Sequence, residues 1–179
     1  MAKILDSVLD LKKWIRDIPN FPKPGIIFKD ISPLLEKPEV FSFTVDQIIQ
    51  PYLRTGITKV CGIEARGFIF GAAAAVKLNA GFIPIRKAGK LPHATHKHTY
   101  DLEYGTDSIE IHSDAINSTD KVLLIDDVLA TGGTLKAAVN LIQISEGKIA
   151  GITTVLELVA LNGRSKVHPY SIHTLIQYS

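Results

Sequence analysis

Two adjacent carboxylates, Asp126 and Asp127, end a hydrophobic run and are followed at once by a turn of small residues. In open α/β sheets, ligands bind beyond the carboxyl ends of the strands, and a helix start presents free N–H groups that suit a phosphate. Glycines let the backbone approach a ligand closely, and threonines add hydroxyl donors. Because acidic side chains would repel a phosphate, we predict that the two acids face a neutral or cationic group, such as ribose hydroxyls or Mg²⁺. The phosphate would be held by the turn, which consists of Ala130, Thr131, Gly132, Gly133 and Thr134.

Alternating strand and helix patterns surround these residues and must position them. Apolar residues between Ile4 and Ile18 recur at steps of four and three, which predicts an amphipathic helix that Pro19 ends. Further helices are predicted over 38–53, 68–78 and 133–145. Strands are predicted over 26–30, 58–63, 81–86, 108–112, 121–126, 149–157 and 171–176. This repetition predicts an α/β fold, a single domain over 1–179 with a parallel β-sheet core flanked by helices on both faces.

Residues 87–106 form a long polar stretch without strong periodicity, which we predict to be a flexible loop. It contains three closely spaced histidines, His93, His96 and His98, and such spacing by itself suggests a metal site. Neither a nearby cysteine nor a fixed scaffold supports such a site. We expect these histidines to tune the charge of the loop with pH.

Composition and charge argue against several classes of function. Hydrophobic residues make up 46% of the chain and charged residues 21%, as in ordinary globular proteins. A formal net charge of +2 is too small to indicate nucleic acid or a membrane as a partner. Cys61 is the only cysteine, which fits a reducing compartment. Because Asp6 and Asp10 interrupt any signal-peptide pattern and the longest apolar run, 68–76, is far below the ~20 residues of a membrane span, we expect a cytoplasmic protein.

The string from Val122 to Thr134 resembles the phosphoribosyl-pyrophosphate signature of the type I phosphoribosyltransferases. In that family the paired acids hold the ribose hydroxyls of 5-phosphoribosyl-1-pyrophosphate (PRPP), and the following turn holds its 5′-phosphate. The two familiar nucleotide motifs, G-x-x-x-x-G-K-[ST] and G-x-G-x-x-G, are both absent from the sequence. A helix cap followed by a tight turn would explain the acids and glycines separately, but not the whole string. The resemblance implies the type I phosphoribosyltransferase fold, with a small N-terminal hood (helix plus hood, 1–35) and a flexible catalytic loop.

Further cations match the part of this family that binds the diphosphate. The segment Gly62–Phe68 is similar to the family's pyrophosphate loop, which sometimes contains a cis non-proline peptide. Arg66 is then expected to pair with the diphosphate, because its planar fork matches phosphate oxygens; an exposed arginine at a helix start is the alternative. Arg86, Lys87 and Lys90 follow a predicted strand. We favour a role in stabilising the departing diphosphate over a solvated cationic surface.

The segment Tyr100–Gly105 resembles the end of the flexible catalytic loop in the adenine-specific members. In those proteins the glutamate near the end of the loop approaches the base and acts in proton transfer. Glu103 is therefore the candidate catalytic residue, and Tyr104 beside it is a candidate substrate contact. A solvent-facing glutamate at a strand end is the alternative for Glu103. A closing loop would exclude water, which could otherwise hydrolyse an activated ribosyl centre.

Residues 18–35 are similar to the N-terminal hood of the adenine phosphoribosyltransferases. In these proteins, backbone groups at the positions of Ile27 and Lys29 read the adenine edge, and Phe28 packs against the ring. Lys29 stands where arginine is expected, so any separate role of that arginine side chain is in doubt here. Leu158 is expected to line the base pocket on the face opposite the hood.

The resemblance, which runs from about Ile15 to Tyr178, implies a reaction. Adenine and PRPP would give AMP and pyrophosphate, a step of purine salvage. Mg²⁺ would be bound mainly through PRPP and pyrophosphate rather than directly by the protein, and the enzyme would be a homodimer. Two alternatives stay open: the same chemistry on a 6-oxopurine, or a regulator that senses PRPP without turning it over. The hood favours adenine, and the Glu103 loop disfavours the regulator.

Overall fold

The computed structural model describes residues 8–101 and 106–179 of the chain. The chain divides into two compact units, Met1–Gln47 and Ile48–Ser179. In the described ranges, none of the helices combines the length and the apolar composition needed to cross a membrane.

The first unit is built on a short hairpin. A 3₁₀ helix, Val8–Trp14, precedes strand β1 (Arg16–Pro19), which pairs antiparallel with β2 (Ile27–Asp30). The helix predicted between Ile4 and Ile18 is therefore wrong in the described residues: the chain forms a 3₁₀ rather than an α-helix up to Trp14, and pairing with β2 overrides the helical spacing from Arg16 onward. Its first residues, 4–7, lie outside the described residues. The extended piece predicted over 26–30 is confirmed.

Two helices follow the hairpin. Helix α1 (Ser32–Leu35) is a single turn, and α2 (Pro38–Ile49) continues two residues past Gln47, the end of the first unit. The helix predicted over 38–53 is confirmed up to Ile49, after which the chain tightens into a 3₁₀ turn, Gln50–Tyr52. Pro51, which has no N–H to continue the α-helical hydrogen bonds, lies in that turn.

The second unit is a seven-stranded sheet with the strand order β5-β6-β4-β3-β7-β8-β9. From β4 to β9 neighbouring strands are parallel, whereas β6 pairs antiparallel with both β4 and β5. The strands are β3 (Lys59–Ile63), β4 (Gly81–Lys87), β5 (Thr95–Asp101), β6 (Thr106–His112), β7 (Lys121–Leu129), β8 (Lys148–Leu158) and β9 (Ile172–Tyr178). The predicted parallel core is confirmed, with an antiparallel extension at one edge.

Two helices cover opposite faces of this sheet. Helix α3 (Gly67–Leu78) lies over Gly62: a methyl group on Gly71 would come within 3.2 Å of the Gly62 Cα. Helix α4 (Gly133–Ile144) instead packs in one buried cluster with Cys61 and Ile63. Because successive residues of a strand point to opposite faces, α3 and α4 flank the sheet from its two sides, as predicted.

The stretch predicted as a loop, 87–106, contains regular structure. Residues Thr95–Asp101 form β5, which pairs with β6 from Thr95↔His112 to Asp101↔Thr106, so the prediction of a loop is wrong there. Nearly all residues of this edge strand are polar, so the sequence lacks the alternation of apolar and polar residues that would predict a strand. Residues 102–105 lie outside the described residues, and with them Glu103 and Tyr104.

Candidate active site

The strand order brings three sets of polar residues to one edge of the sheet. Strands β4, β3 and β7 are adjacent and parallel, so the residues that follow their carboxyl ends meet there. A cavity of about 320 Å³ opens at this edge. Its described polar lining consists of Glu64, Arg66, Lys87, Tyr100, Asp107, Asp126, Asp127 and Thr134. Five of these eight residues were predicted site residues: Arg66, Lys87, Asp126, Asp127 and Thr134.

The acid pair is held by its own backbone and by Arg66. The Asp127 N–H donates to Asp126 Oδ1 at 2.9 Å, and Arg66 Nε lies 2.7 Å from Asp127 Oδ2. Burial and the neighbouring charge of Asp127 raise the pKa of Asp126 well above its usual range. Burial also raises the pKa of Asp127, although the Arg66 guanidinium opposes that rise. That these acids face a neutral or cationic group of a ligand stays a prediction.

The small-residue turn forms a second, smaller cavity of about 130 Å³ beside the first. All five predicted residues, 130–134, line it together with Asp126. Gly132 adopts a φ of +78° and immediately precedes α4, so the turn delivers its N–H groups at a helix start. The Thr134 hydroxyl donates to the Tyr100 hydroxyl at 3.3 Å, which connects the turn to β5.

The loop after β3 is braced by a carboxylate that sequence reasoning missed. Glu64 accepts from Arg86 Nε at 3.1 Å and Nη2 at 3.3 Å, and from the Lys87 N–H at 3.0 Å. Hydrogen bonding from Arg86 lowers the pKa of Glu64, so the carboxylate is charged at neutral pH. The peptide between Glu64 and Ala65 is cis, which confirms the expectation for this loop. The contact of Glu64 with Arg86 and Lys87 arises because β3 and β4 are adjacent, and no local sequence pattern predicts it.

The predicted cations divide between two environments. Lys87 lines the larger cavity, whereas Arg86 and Lys90 lie outside its described lining. Arg86 Nη1 donates to the backbone carbonyl of Lys90 at 3.2 Å, so Arg86 ties the Lys90 turn to Glu64. Direct contacts of Arg86 and Lys90 with a diphosphate therefore stay predictions.

Asp107 and Tyr100 are two further lining residues that sequence reasoning missed. Lys87 Nζ lies 3.1 Å from Asp107 Oδ2, and this contact raises the pKa of Lys87. Burial would raise the pKa of Asp107, but the Ser108 N–H and Lys87 outweigh it and hold that pKa below its usual range. Asp107 on β6 pairs with Tyr100 on β5, so the missed strand β5 brings Tyr100 to the cavity beside Asp107.

The predicted base-contacting residues lie on other elements. Ile27, Phe28 and Lys29 are in strand β2 of the first unit, and Leu158 ends β8 in the second. The Phe28 ring packs edge-on against Phe21, with centroids 5.2 Å apart. Lys29 Nζ lies 2.8 Å from Asp17 Oδ1, so the side chain that replaces the expected arginine forms an ion pair across the hairpin.

The histidines of the predicted loop take part in separate contacts. His98 Nε2 lies 3.0 Å from Asn140 Nδ2 of α4, and the His93 ring is 6.1 Å from that of His112. In the part of the chain that the structure describes, no three His, Cys, Asp or Glu side chains are grouped to hold a metal ion. The idea that these histidines tune charge with pH stays a prediction.

Known proteins resemble this chain over almost its whole length. A family model, the phosphoribosyl transferase domain, matches residues 37–178. The adenine phosphoribosyltransferase of Halothermothrix orenii is 54% identical over 169 residues, covering 94% of this chain and 99% of that protein. The crystal structure of the Rhodothermus marinus adenine phosphoribosyltransferase superposes with a TM-score of 0.92 at 46% identity, covering 96% of this chain and 98% of that one.

A more distant structural relative carries ligands. The Trypanosoma brucei adenine phosphoribosyltransferase was crystallised with AMP, pyrophosphate and ribose 5-phosphate. It superposes with a TM-score of 0.88 at 28% identity and covers 99% of this chain and 82% of its own.

Proposed function

Because the chain belongs to the phosphoribosyl transferase family, and within it to the adenine phosphoribosyltransferases, we propose that it transfers the 5-phosphoribosyl group of PRPP to adenine. The products are AMP and pyrophosphate, which makes the reaction a step of purine salvage. One observation carries the proposal: the acid pair, Arg66 and the turn 130–134 border adjoining cavities at one edge of the sheet. That arrangement suits a ligand with two separate phosphate groups on one sugar.

The sugar donor would be held at three points. The turn 130–134 binds the 5′-phosphate through backbone N–H groups and the hydroxyls of Thr131 and Thr134. Asp126 and Asp127 accept hydrogen bonds from the ribose hydroxyls. Arg66, which already points at this cavity through its ion pair with Asp127, pairs with the diphosphate. These assignments rest on the cavity lining and on the resemblance to the family signature.

The diphosphate leaves as negative charge builds on its oxygens and positive charge builds at C1 of the ribose. Lys87 is the cation of the predicted basic group that lines the cavity, and we assign it to the leaving group together with Arg66. Arg86 supports the loop after β3 through its contact with Glu64, and Lys90 adds positive charge near Glu64. Positioning and charge, rather than covalent chemistry by the protein, supply most of the rate.

Mg²⁺ fits this site through its oxygen chemistry. The ion prefers oxygen ligands and is commonly bound by one or two carboxylates together with substrate phosphates. Asp126 and Asp127 line the cavity with two carboxylates, so these residues would face a donor-bound ion. When bound, mainly through PRPP oxygens, Mg²⁺ supplies positive charge that offsets the charge of the diphosphate.

The acceptor base would be recognised by backbone groups of Ile27 and Lys29, by the Phe28 ring and by Leu158, as in the hood that this segment resembles. The base must lose one proton as its N9 bonds to C1. Glu103 is the proposed acceptor of that proton, and Tyr104 is a proposed substrate contact. Both residues lie outside the described residues, so their assignment rests on the sequence resemblance.

The assembly and location are also proposals. A homodimer is supported by apolar side chains on the outer side of α3, where Val76 is 82% exposed and Ile69 is 39% exposed. Light scattering at several protein concentrations tests it, and a monomer at all of them would contradict it. A cytoplasmic location is supported by Cys61, the only cysteine, which is free and buried.

The test of the function is AMP formation from adenine and PRPP with Mg²⁺, run beside hypoxanthine, guanine and xanthine. Turnover of adenine alone is expected. Turnover of a 6-oxopurine instead would keep the donor assignment and contradict the assignment of the base contacts. PRPP binding without any turnover would favour a PRPP sensor. Omitting Mg²⁺ in the presence of a chelator provides the control for the metal.

A further inference from the structure

One arginine ties together the chain segments at the carboxyl end of β8. Arg164 donates from Nε to Glu157 Oε1 at 2.7 Å and from Nη2 to Glu157 Oε2 at 2.6 Å. Its Nη1 donates to the Ile172 carbonyl at 2.9 Å, and Nη2 also reaches Thr174 Oγ1 at 3.2 Å. Glu157 is only 4% exposed and accepts a further bond from Gln177 Nε2 at 2.8 Å. The fork of Arg164 thus joins β8 and β9 to the 3₁₀ turn Gly163–Val167, in which Arg164 itself lies.

That turn is in direct backbone contact with the phosphate-binding turn. A methyl group on Gly132 would overlap the carbonyl oxygen of Gly163, and one on Gly163 would overlap the carbonyl oxygen of Ala130. A methyl group on Gly163 would also come within 3.0 Å of the Gly132 nitrogen. The Leu129 side chain also packs at Gly163, where Cδ1 would lie 2.7 Å from such a methyl group. Because the two backbones are this close, a displacement of Gly163 is expected to move Gly132 and Ala130 with it.

We propose that Arg164, anchored by Glu157, is a positioning residue that holds Gly163 against the phosphate-binding turn and so fixes the N–H groups that receive the 5′-phosphate. The inference rests on the proposed function in that it takes residues 130–134 as the phosphate site. Oriented N–H groups bind a phosphate well only when their backbone is already in place, and small misplacements are costly. Arg164 is not among the described lining residues of either cavity, so it would act through the adjoining backbone.

The chemistry of the contact predicts which substitutions matter. The planar fork of arginine engages both carboxylate oxygens at once and still reaches β9, whereas the single ammonium of lysine cannot. Arg164→Lys therefore keeps the charge but loses the geometry. Glu157→Gln keeps the shape of the side chain and removes the negative charge that holds the Arg164 guanidinium. Since both changes break one connection, the double variant is expected to be little worse than either single one.

The experiment measures the dissociation constant of ribose 5-phosphate by calorimetry, together with KM for PRPP and for adenine. In Arg164→Lys and Glu157→Gln, the ribose 5-phosphate constant and KM for PRPP are expected to rise about tenfold, a typical effect of one lost charge-assisted hydrogen bond. In Arg164→Lys, KM for adenine is expected to change less than about twofold, because Gly163 adjoins the phosphate-binding turn. Glu157→Gln is read through PRPP and ribose 5-phosphate alone, because Glu157 precedes Leu158, which is proposed for the base pocket.

Asp120→Asn is the matched control. Asp120 is 6% exposed and accepts from Thr58 Oγ1 at 2.8 Å and from the Asn117 N–H at 3.0 Å, just before β7 begins. This substitution is expected to lower the melting temperature of the protein. The dissociation constant of ribose 5-phosphate and KM for PRPP are expected to stay unchanged.

Two results would overturn the proposal. One is an unchanged ribose 5-phosphate constant in Arg164→Lys despite a melting temperature lowered as far as in Asp120→Asn, since the network would then be structural only. The other is an equal rise in KM for PRPP and KM for adenine in Arg164→Lys. Failure of the proposed function would appear elsewhere, in wild-type protein that binds ribose 5-phosphate but forms no AMP. In that case the tenfold loss of ribose 5-phosphate binding is still expected.

Discussion

Arg66 Nε lies 2.7 Å from Asp127 Oδ2, so the residue proposed for the diphosphate is ion-paired with an acid proposed for the ribose. Asp127 is 4% exposed, and its burial without a counter-charge would be costly. Arg66 therefore serves the ligand-free protein as well: it compensates a buried carboxylate and holds its own guanidinium at the cavity. When a donor binds, the same guanidinium has a second anion within reach.

Replacing Arg66 tests this double role. In Arg66→Gln, kcat/KM for PRPP is expected to fall about a hundredfold or more, because one charge-assisted contact with the leaving group is lost. Inhibition by pyrophosphate should weaken in parallel. Arg66→Lys, which keeps the charge without the fork, is the matched comparison and should lose less. Steady-state kinetics with PRPP varied provide the measurement, and an unchanged kcat/KM in Arg66→Gln would remove Arg66 from leaving-group binding.

Asp126→Asn should separate stability from activity. Burial, and then the charge of Asp127, raise the pKa of Asp126 in the folded protein. An acid with a raised pKa contributes stability that is present below its unfolded pKa and lost as the pH rises through the folded pKa. At pH 8 without ligand, Asp126→Asn is therefore expected to be more stable than wild type by roughly 0.5–2 kcal/mol, while losing most activity.

Melting curves from pH 4 to pH 9 check this expectation for Asp126. The advantage of Asp126→Asn should shrink toward the acid end, where the wild-type carboxyl is protonated in both the folded and the unfolded protein. A variant that is less stable than wild type at pH 8 would show that the ionised pair is not under electrostatic strain.

Local sequence was sufficient for the phosphate-binding turn and for most of the sheet. Strand β7, the small-residue turn and α4 follow each other without interruption, so spacing alone places Asp126 and Thr134 at one cavity. The pairing of Arg66 with Asp127 depends instead on the alignment of β3 with β7, Gly62↔Ile125, which is a long-range property. The sequence suggested both residues but could not show that they touch.

The missed features have the same origin. The edge strand β5 is polar throughout, so Tyr100 lacked the apolar alternation that would mark a strand. Asp107 and Glu64 owe their roles to neighbours on β4, Lys87 and Arg86, that are far away in the chain. The N-terminal helix was overpredicted because helical spacing also occurs in residues that pair in a hairpin.

Gly132→Ala should show how closely the two turns are packed. Gly132 has a φ of +78° and contacts the Gly163 carbonyl, whereas Gly56 has the same φ with open space around it. Gly56→Ala isolates the backbone cost, expected to be about 1 kcal/mol, with PRPP affinity unchanged. Gly132→Ala adds the overlap, so a loss of at least about 2 kcal/mol and a higher KM for PRPP are expected. Denaturant unfolding and kinetics measure both, and equal losses in the two variants would contradict close packing.

Glu103→Gln tests the proposed proton acceptor. The amide keeps the size of the side chain but cannot take up a proton, so kcat is expected to fall about a hundredfold or more. The affinity for AMP should change much less, because binding does not require the proton to move. Single-turnover kinetics and AMP titrations give the two quantities. Equal losses in kcat and AMP affinity would indicate a binding role, and no loss would return Glu103 to the solvent-facing alternative.

The Arg164–Glu157 pair predicts how stability depends on acid. Hydrogen bonding from Arg164 lowers the pKa of Glu157, although burial opposes it. A carboxyl with a lowered folded pKa contributes stability that is present above its unfolded pKa and is lost as the pH falls through the folded value. Glu157→Gln should therefore be less stable than wild type at pH 7, and the deficit should narrow as the pH falls below the usual range of glutamate. Urea unfolding at pH 7 and at pH 4 or below measures the difference, with Glu146→Gln, whose residue is exposed, as the surface control. A deficit that stays constant with pH would show that shape and hydrogen bonding, rather than the charge of Glu157, stabilise this end of the sheet.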